Sequence, residues 1–158
     1  MKRKKIEILL VEDNADDVEL VLLAFKKADI IEDSQIHVVR DGVEALKYLF
    51  DTEDEDNIRL NHFPLLILLD LNLPKLDGLD LLKKIKSHQE AKKIPIVILT
   101  GSKDMNDWTE SYDLGADCYL HKSADFSQLV EAAGLAVLGA FEIKKSSGEL
   151  NGRNNTKK

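Results

Sequence analysis

Glu12, Asp13, Asp70, Thr100 and Lys122 stand out because each follows closely on a short apolar run. IEILLV (Ile6 to Val11) is followed by Glu12 and Asp13, LLILL (Leu65 to Leu69) by Asp70, IPIVIL (Ile94 to Leu99) by Thr100, and CYL (Cys118 to Leu120) by His121 and Lys122. If the runs are parallel strands of one sheet, these side chains reach one edge, the edge where open α/β sheets bind their ligands. Carboxylates crowded there repel one another unless a proton or a cation intervenes. A hard divalent ion answers this: Mg²⁺ takes oxygen ligands at about 2.0 to 2.1 Å and keeps several waters, leaving room for a phosphoryl oxygen. Asp13 and Asp70 are the expected direct ligands, Glu12 an outer one and the backbone carbonyl of Asn72 a further one. An aspartate beside such an ion, facing an ammonium and a hydroxyl, suits in-line phosphoryl transfer. Asp70 is then the nucleophile. Lys122, the Thr100 hydroxyl and nearby backbone N–H groups neutralise the equatorial oxygens.

Taken singly, each residue has an ordinary use. A strand-end Asp often caps a turn or helix, a Thr there does the same, and a lone Lys is usually solvated. Five compatible types in strand order at one edge are what argue for a site.

The elements that must position them are legible from periodicity. Five strand-length runs, those above plus Gln35 to Val39, alternate with helical stretches. The nearly continuous apolar character of IEILLV, LLILL and IPIVIL is what strands covered on both faces require. Between them Val18, Leu22 and Phe25 recur at helical spacing, as do Ala45, Leu46, Leu49 and Phe50, and Leu79, Leu82 and Ile85. This predicts an α/β fold, a doubly wound five-stranded parallel sheet flanked by helices, with right-handed crossovers and a last helix near 125–145. Asp51 to His62 reads as an acidic loop. Residues 1–5 read as a basic tail, 6–145 as the domain and 146–158 as a disordered tail with no output domain after it.

With 158 residues, 44% of them hydrophobic, one core is expected. Cys118 alone cannot make a disulfide framework, and no secretory leader is legible, so a cytoplasmic protein is expected. No apolar run approaches the roughly 20 residues of a membrane helix. The formal net charge of −7 opposes binding to nucleic acid or anionic lipid. The four histidines lack metal-ligand spacing, and Cys118 and Trp108 read as packing residues.

The motifs VEDN at 11–14, DLNLPKLDG at 70–78, ILTG at 98–101 and YLHK at 119–122 together resemble the receiver domains of two-component response regulators over about residues 6–143. The resemblance implies a flavodoxin-like sheet of order 2-1-3-4-5. It makes Glu12 and Asp13 the acidic pair, Asp70 the phosphoacceptor, Thr100 and Tyr119 the switch residues and Lys122 the phosphate-contacting lysine. It also implies Mg²⁺ as cofactor, a sensor histidine kinase as partner, and no enzymatic activity beyond the domain's own phosphoryl transfer and dephosphorylation. Pro74 and Gly78 fit as turn residues after Asp70. Two features depart from the family pattern. Ser123 stands where a proline with a cis peptide is usual, and a cis bond before a non-proline costs roughly 2.5 to 4 kcal/mol. The long segment before the third strand, with the missing output domain, is similar to small receivers paired with bacterial phytochrome-type sensor kinases.

Phosphate beside Asp70 would draw in the Thr100 hydroxyl, vacating space into which Tyr119 turns. The last helix is apolar on both sides (Phe126, Leu129, Val130, Ala133, Val137 and Phe141 against Leu135, Leu138 and Ile143), which predicts a homodimer through it. Three alternatives compete. A phosphatase of the haloacid dehalogenase type would need Asp-x-Asp on the first strand, where this chain has Asp13 followed by Asn14 and Ala15. A receiver-like module that is never phosphorylated would not need all five residues. A flavodoxin-like carrier would need a phosphate loop after the first strand.

Overall fold

The computed structural model describes residues 7–28, 35–50, 63–101 and 104–122. The N-terminal tail, the acidic stretch 51–62, Ser123, the expected last helix with its partner face, and the C-terminal tail lie outside these residues. The elements run β1 (Ile8–Val11), α1 (Ala15–Ala28), β2 (Ile36–Val39), α2 (Gly42–Phe50), β3 (Leu66–Leu69), α3 (Gly78–Ser87), β4 (Ile96–Thr100), α4 (Met105–Asp113) and β5 (Cys118–His121), with a 3₁₀ turn at Ala91–Lys93 before β4. All five strands are parallel, in the order β2-β1-β3-β4-β5. The register carries Val11 beside both Val39 and Leu69, and Ile98 beside both Leu69 and Tyr119, so the strand ends that carry the site lie along one edge.

Every residue of β1, β3 and β4 is buried, whereas the outer strands β2 and β5 are only partly so. The apolar runs are continuous because successive side chains enter opposite cores. Ile8, Leu10, Leu66, Leu68, Val97 and Leu99 pack with Val18, Val21, Ala24 and Phe25 of α1. Leu9, Val11, Ile67, Leu69, Ile96 and Ile98 face the other side, against Ala45 and Leu49 of α2 and Leu81, Leu82 and Ile85 of α3.

The loops leaving the site edge are tied locally. Asp77 accepts from the Leu79 N–H at 3.2 Å and Asp104 from Asn106 at 2.9 Å, capping α3 and α4. Asp41 accepts from Glu44 at 2.7 Å while Glu44 reaches back to the Arg40 N–H at 2.7 Å, a reciprocal cap on α2. After β3 the chain turns through Lys75, at φ 70°, and folds back so that the Gly78 N–H donates to the Leu71 carbonyl at 3.0 Å. A Cβ at Gly78 would lie 2.5 Å from both the Asp70 carbonyl oxygen and Leu71 Cα, so only glycine allows this approach.

Several boundaries and two packing expectations differ in detail. β4 begins after Pro95, because Ile94 closes the 3₁₀ turn, and it runs one residue further, to Thr100. Trp108 packs on the rings of Tyr112 and Tyr119 but stays 40% exposed, and Cys118 packs against the core while only partly buried. α4 buries only Ser111 and leaves Met105, Trp108 and Tyr112 exposed, and β5 is an edge strand.

Candidate functional site

Glu12 and Asp70 sit one residue past their strands yet stay in the backbone ladder: the Glu12 N–H donates to the Val39 carbonyl at 3.0 Å and the Asp70 N–H to Val11 at 3.1 Å. Their carboxylates are therefore held by the sheet, and both are buried, at 1% and 4% exposure. Asp13 is exposed, and one oxygen from each of Glu12, Asp13 and Asp70 lies within 4.8 Å of the others. Lys122 enters from beyond β5, its N–H donating to the Thr100 carbonyl at 2.9 Å.

The Lys122 ammonium reaches three carboxylates, Glu12 Oε1 at 2.7 Å, Asp17 Oδ2 at 2.8 Å and Asp70 Oδ2 at 3.0 Å. The other Asp70 oxygen, Oδ1, accepts from the Asn72 N–H at 3.1 Å, and Glu12 Oε2 accepts from Asn14 at 3.2 Å. The Glu12 contact is close but off the hydrogen-bond axis, so Oε1 keeps acceptor capacity in a buried setting. Burial pushes the Glu12 carboxyl up to about 7; the Lys122 ammonium opposes this and the Asp70 charge adds to it. Burial alone would lower the Lys122 pKa, but its close contacts with the Asp17, Glu12 and Asp70 carboxylates outweigh that and hold it above the usual lysine range.

Three carboxylates thus share one ammonium, with the Asp13 carboxylate beside two of them, and the excess negative charge suits a further cation. The donor set fits a hard divalent ion: all oxygen, two ligands buried and rigid, and Asp13 on the open side where waters complete the shell. Such an ion, when bound, would neutralise phosphoryl oxygens beside Asp70.

Of the residues singled out in the sequence, Glu12, Asp13, Asp70 and Lys122 are brought together directly, and Asn72 joins them through its N–H. Thr100 is fully buried at the end of β4, its Cα paired with that of His121. Tyr119 lies one strand further out on β5, half-buried, its ring 6.1 Å from that of Trp108. The residue not anticipated is Asp17. In the sequence it reads only as an acidic first-turn residue of α1. The available signal is its position four residues after Asp13, one helical turn beyond the acidic pair.

Comparison with known proteins agrees with this geometry. The response regulator receiver domain family matches residues 8–134. The chain belongs to that family. It is 42% identical over 122 residues to the response regulator Rcp1 of Synechocystis sp., covering 77% of this chain and 80% of that protein. Among solved structures it resembles the phosphorylated cyanobacterial phytochrome response regulator RcpA (42% identity, TM-score 0.70, covering 83% of this chain and 90% of that one). It also resembles a Mn²⁺-bound form of Rcp1 (39% identity, TM-score 0.69, with the same coverage of 83% and 90%). These relatives share the receiver fold and bear out the likeness to phytochrome-associated regulators. Among the described residues no helix is long and apolar enough to cross a membrane.

Proposed function

We propose that this chain is a phosphorylation-controlled switch that accepts a phosphoryl group on Asp70 from a sensor histidine kinase. One Asp70 carboxylate oxygen attacks phosphorus in line as the bond to the donor histidine nitrogen breaks, giving an acyl phosphate and a free imidazole. Glu12, Asp13, Asp70 and the Asn72 carbonyl would hold Mg²⁺, which supplies charge neutralisation at the phosphoryl group. Lys122 contacts a second phosphoryl oxygen, and the Thr100 hydroxyl approaches a third. The observation that carries the reading is the Lys122 ammonium 3.0 Å from a buried Asp70 inside the acidic group.

The signal then follows from competition for Thr100. Drawing its hydroxyl toward phosphate frees space beside β5, and Tyr119 turns inward, so phosphate stabilises one of two conformers. The protein acts on no other substrate. Its setting is the cytoplasm, its kinase is of the phytochrome type, and its dimer forms through residues 125–145. The kinase type rests on the relatives' names and the dimer on the sequence pattern of that segment. The test is intact-protein mass spectrometry after incubation with acetyl phosphate and Mg²⁺. One added phosphoryl group in wild type, absent without Mg²⁺ and absent in Asp70→Asn, is expected. An unmodified wild type would favour a module that is never phosphorylated.

A further inference from the structure

We infer that Asp17 is a positioning residue that keeps Lys122 aimed at the phosphoacceptor, an inference that rests on the reading of Asp70 as phosphoacceptor. A lysine ammonium has three N–H donors on a flexible four-carbon stem. Here three carboxylates surround it, those of Glu12, Asp17 and Asp70. Glu12 and Asp70 also belong, with Asp13, to the oxygen group suited to a cation, and Asp17 stands outside that group. A cation that claims Glu12 and Asp70 therefore leaves Asp17 as the carboxylate still free to hold the ammonium.

Asp17 is built to do this. Its N–H donates to Asn14 Oδ1 at 3.0 Å and it lies in the first turn of α1, so the tether comes from a helix rather than a loop. Lys122 is thereby gripped at both ends, through its N–H by the Thr100 carbonyl of β4 and through its ammonium by α1. The side chains are 29% and 19% exposed, shielded enough for the pair to hold a direction. During transfer one ammonium donor turns from Asp70 to a phosphoryl oxygen while another stays on Asp17. Without Asp17 the stem is untethered at its tip once the cation is bound, and the ammonium meets the incoming phosphoryl group less often in the productive orientation.

The neighbouring Asp16 provides the control, since it is exposed, lies in the same helical turn and would lose the same charge. The experiment follows the rate at which the full chain gains a phosphoryl mass from acetyl phosphate at saturating Mg²⁺; the donor O–P bond breaks, the Asp70 O–P bond forms and acetate leaves. Asp17→Asn should slow wild-type phosphorylation about threefold to tenfold, the size expected for one charge-assisted contact in a partly exposed site. Asp16→Asn should leave the rate unchanged, Asp17→Glu should restore most of it, and Asp17→Asn should add nothing in a Lys122→Ala background. If Asp17→Asn behaves like Asp16→Asn, or slows the Lys122→Ala protein by the same factor, the role through Lys122 is overturned and Asp17 serves only the helix. A wild type that gains no phosphoryl group overturns the phosphoacceptor reading and this inference together, whereas a modified wild type lets the two fail separately. Asp17→Ser, with the same expected slowing, stands in if Asp17→Asn unfolds.

Discussion

Replacing Glu12 by glutamine should stabilise the metal-free protein at neutral pH, although it removes a charge from the centre of the site. Glu12 is 1% exposed, and burial holds its carboxyl at about 7 instead of 4.5, with the Asp70 charge adding to the rise and Lys122 only partly offsetting it. Because the folded pKa lies above the unfolded one, the folded chain binds the Glu12 proton more tightly. The associated stability is complete below pH 4.5 and is lost as pH rises toward about 7. The difference between 4.5 and about 7 corresponds to about 3 kcal/mol. Glutamine has the shape of the protonated acid and cannot ionise. In urea denaturation across pH 4.5 to 8 without Mg²⁺, Glu12→Gln and wild type should therefore agree at the acid end. They should diverge in favour of the variant by about 3 kcal/mol at the alkaline end. Saturating Mg²⁺ should narrow the gap, because the ion neutralises the ionised carboxylate. Parallel pH profiles for the two proteins would refute the reasoning, since Glu12 would then titrate alike in the folded and unfolded chains.

Removing Lys122 as Lys122→Ala should tighten Mg²⁺ binding about tenfold by titration calorimetry, because an ammonium that competes for Glu12 and Asp70 is gone, while phosphorylation slows. Gly78→Ala should cost about 1 to 3 kcal/mol in chemical denaturation, since the new Cβ must displace the backbone behind Asp70, and it should weaken Mg²⁺ binding as well. Trp108, the sole tryptophan, should change its fluorescence when acetyl phosphate and Mg²⁺ are added, because its ring lies 6.1 Å from that of Tyr119. In Tyr119→Ala the change should disappear; an unaltered response there would remove Tyr119 from the switch.

Much of the fold was legible because burial on both faces leaves an unmistakable mark: the runs ending at Val11, Leu69 and Leu99 have almost no polar residue, and the structure feeds their alternate side chains into two cores. The edge residues were legible for the same reason, since a parallel sheet turns a strand end into a shared location. The order of the strands was not readable from the runs and came from resemblance to the family. The Asp17 contact was hidden because it spans 105 positions and depends on how α1 leaves β1, which no local pattern encodes. The partial exposure of Trp108 was not legible, because the side that α4 turns to the protein is decided by its neighbours rather than by its own pattern. At Asn72 the sequence pointed to the carbonyl as a metal ligand, and the hydrogen bond from the N–H of the same residue to Asp70 is a further contact that no pattern announced.

The most direct measurement of the central claim is the position of the phosphoryl group. After incubation with acetyl phosphate and Mg²⁺, borohydride reduction converts an aspartyl acyl phosphate to homoserine, and peptide mass spectrometry locates it. The expected result is homoserine at position 70, absent when Mg²⁺ is withheld. Homoserine at another aspartate, or a phosphoryl group retained on a side chain other than Asp70, would contradict the account.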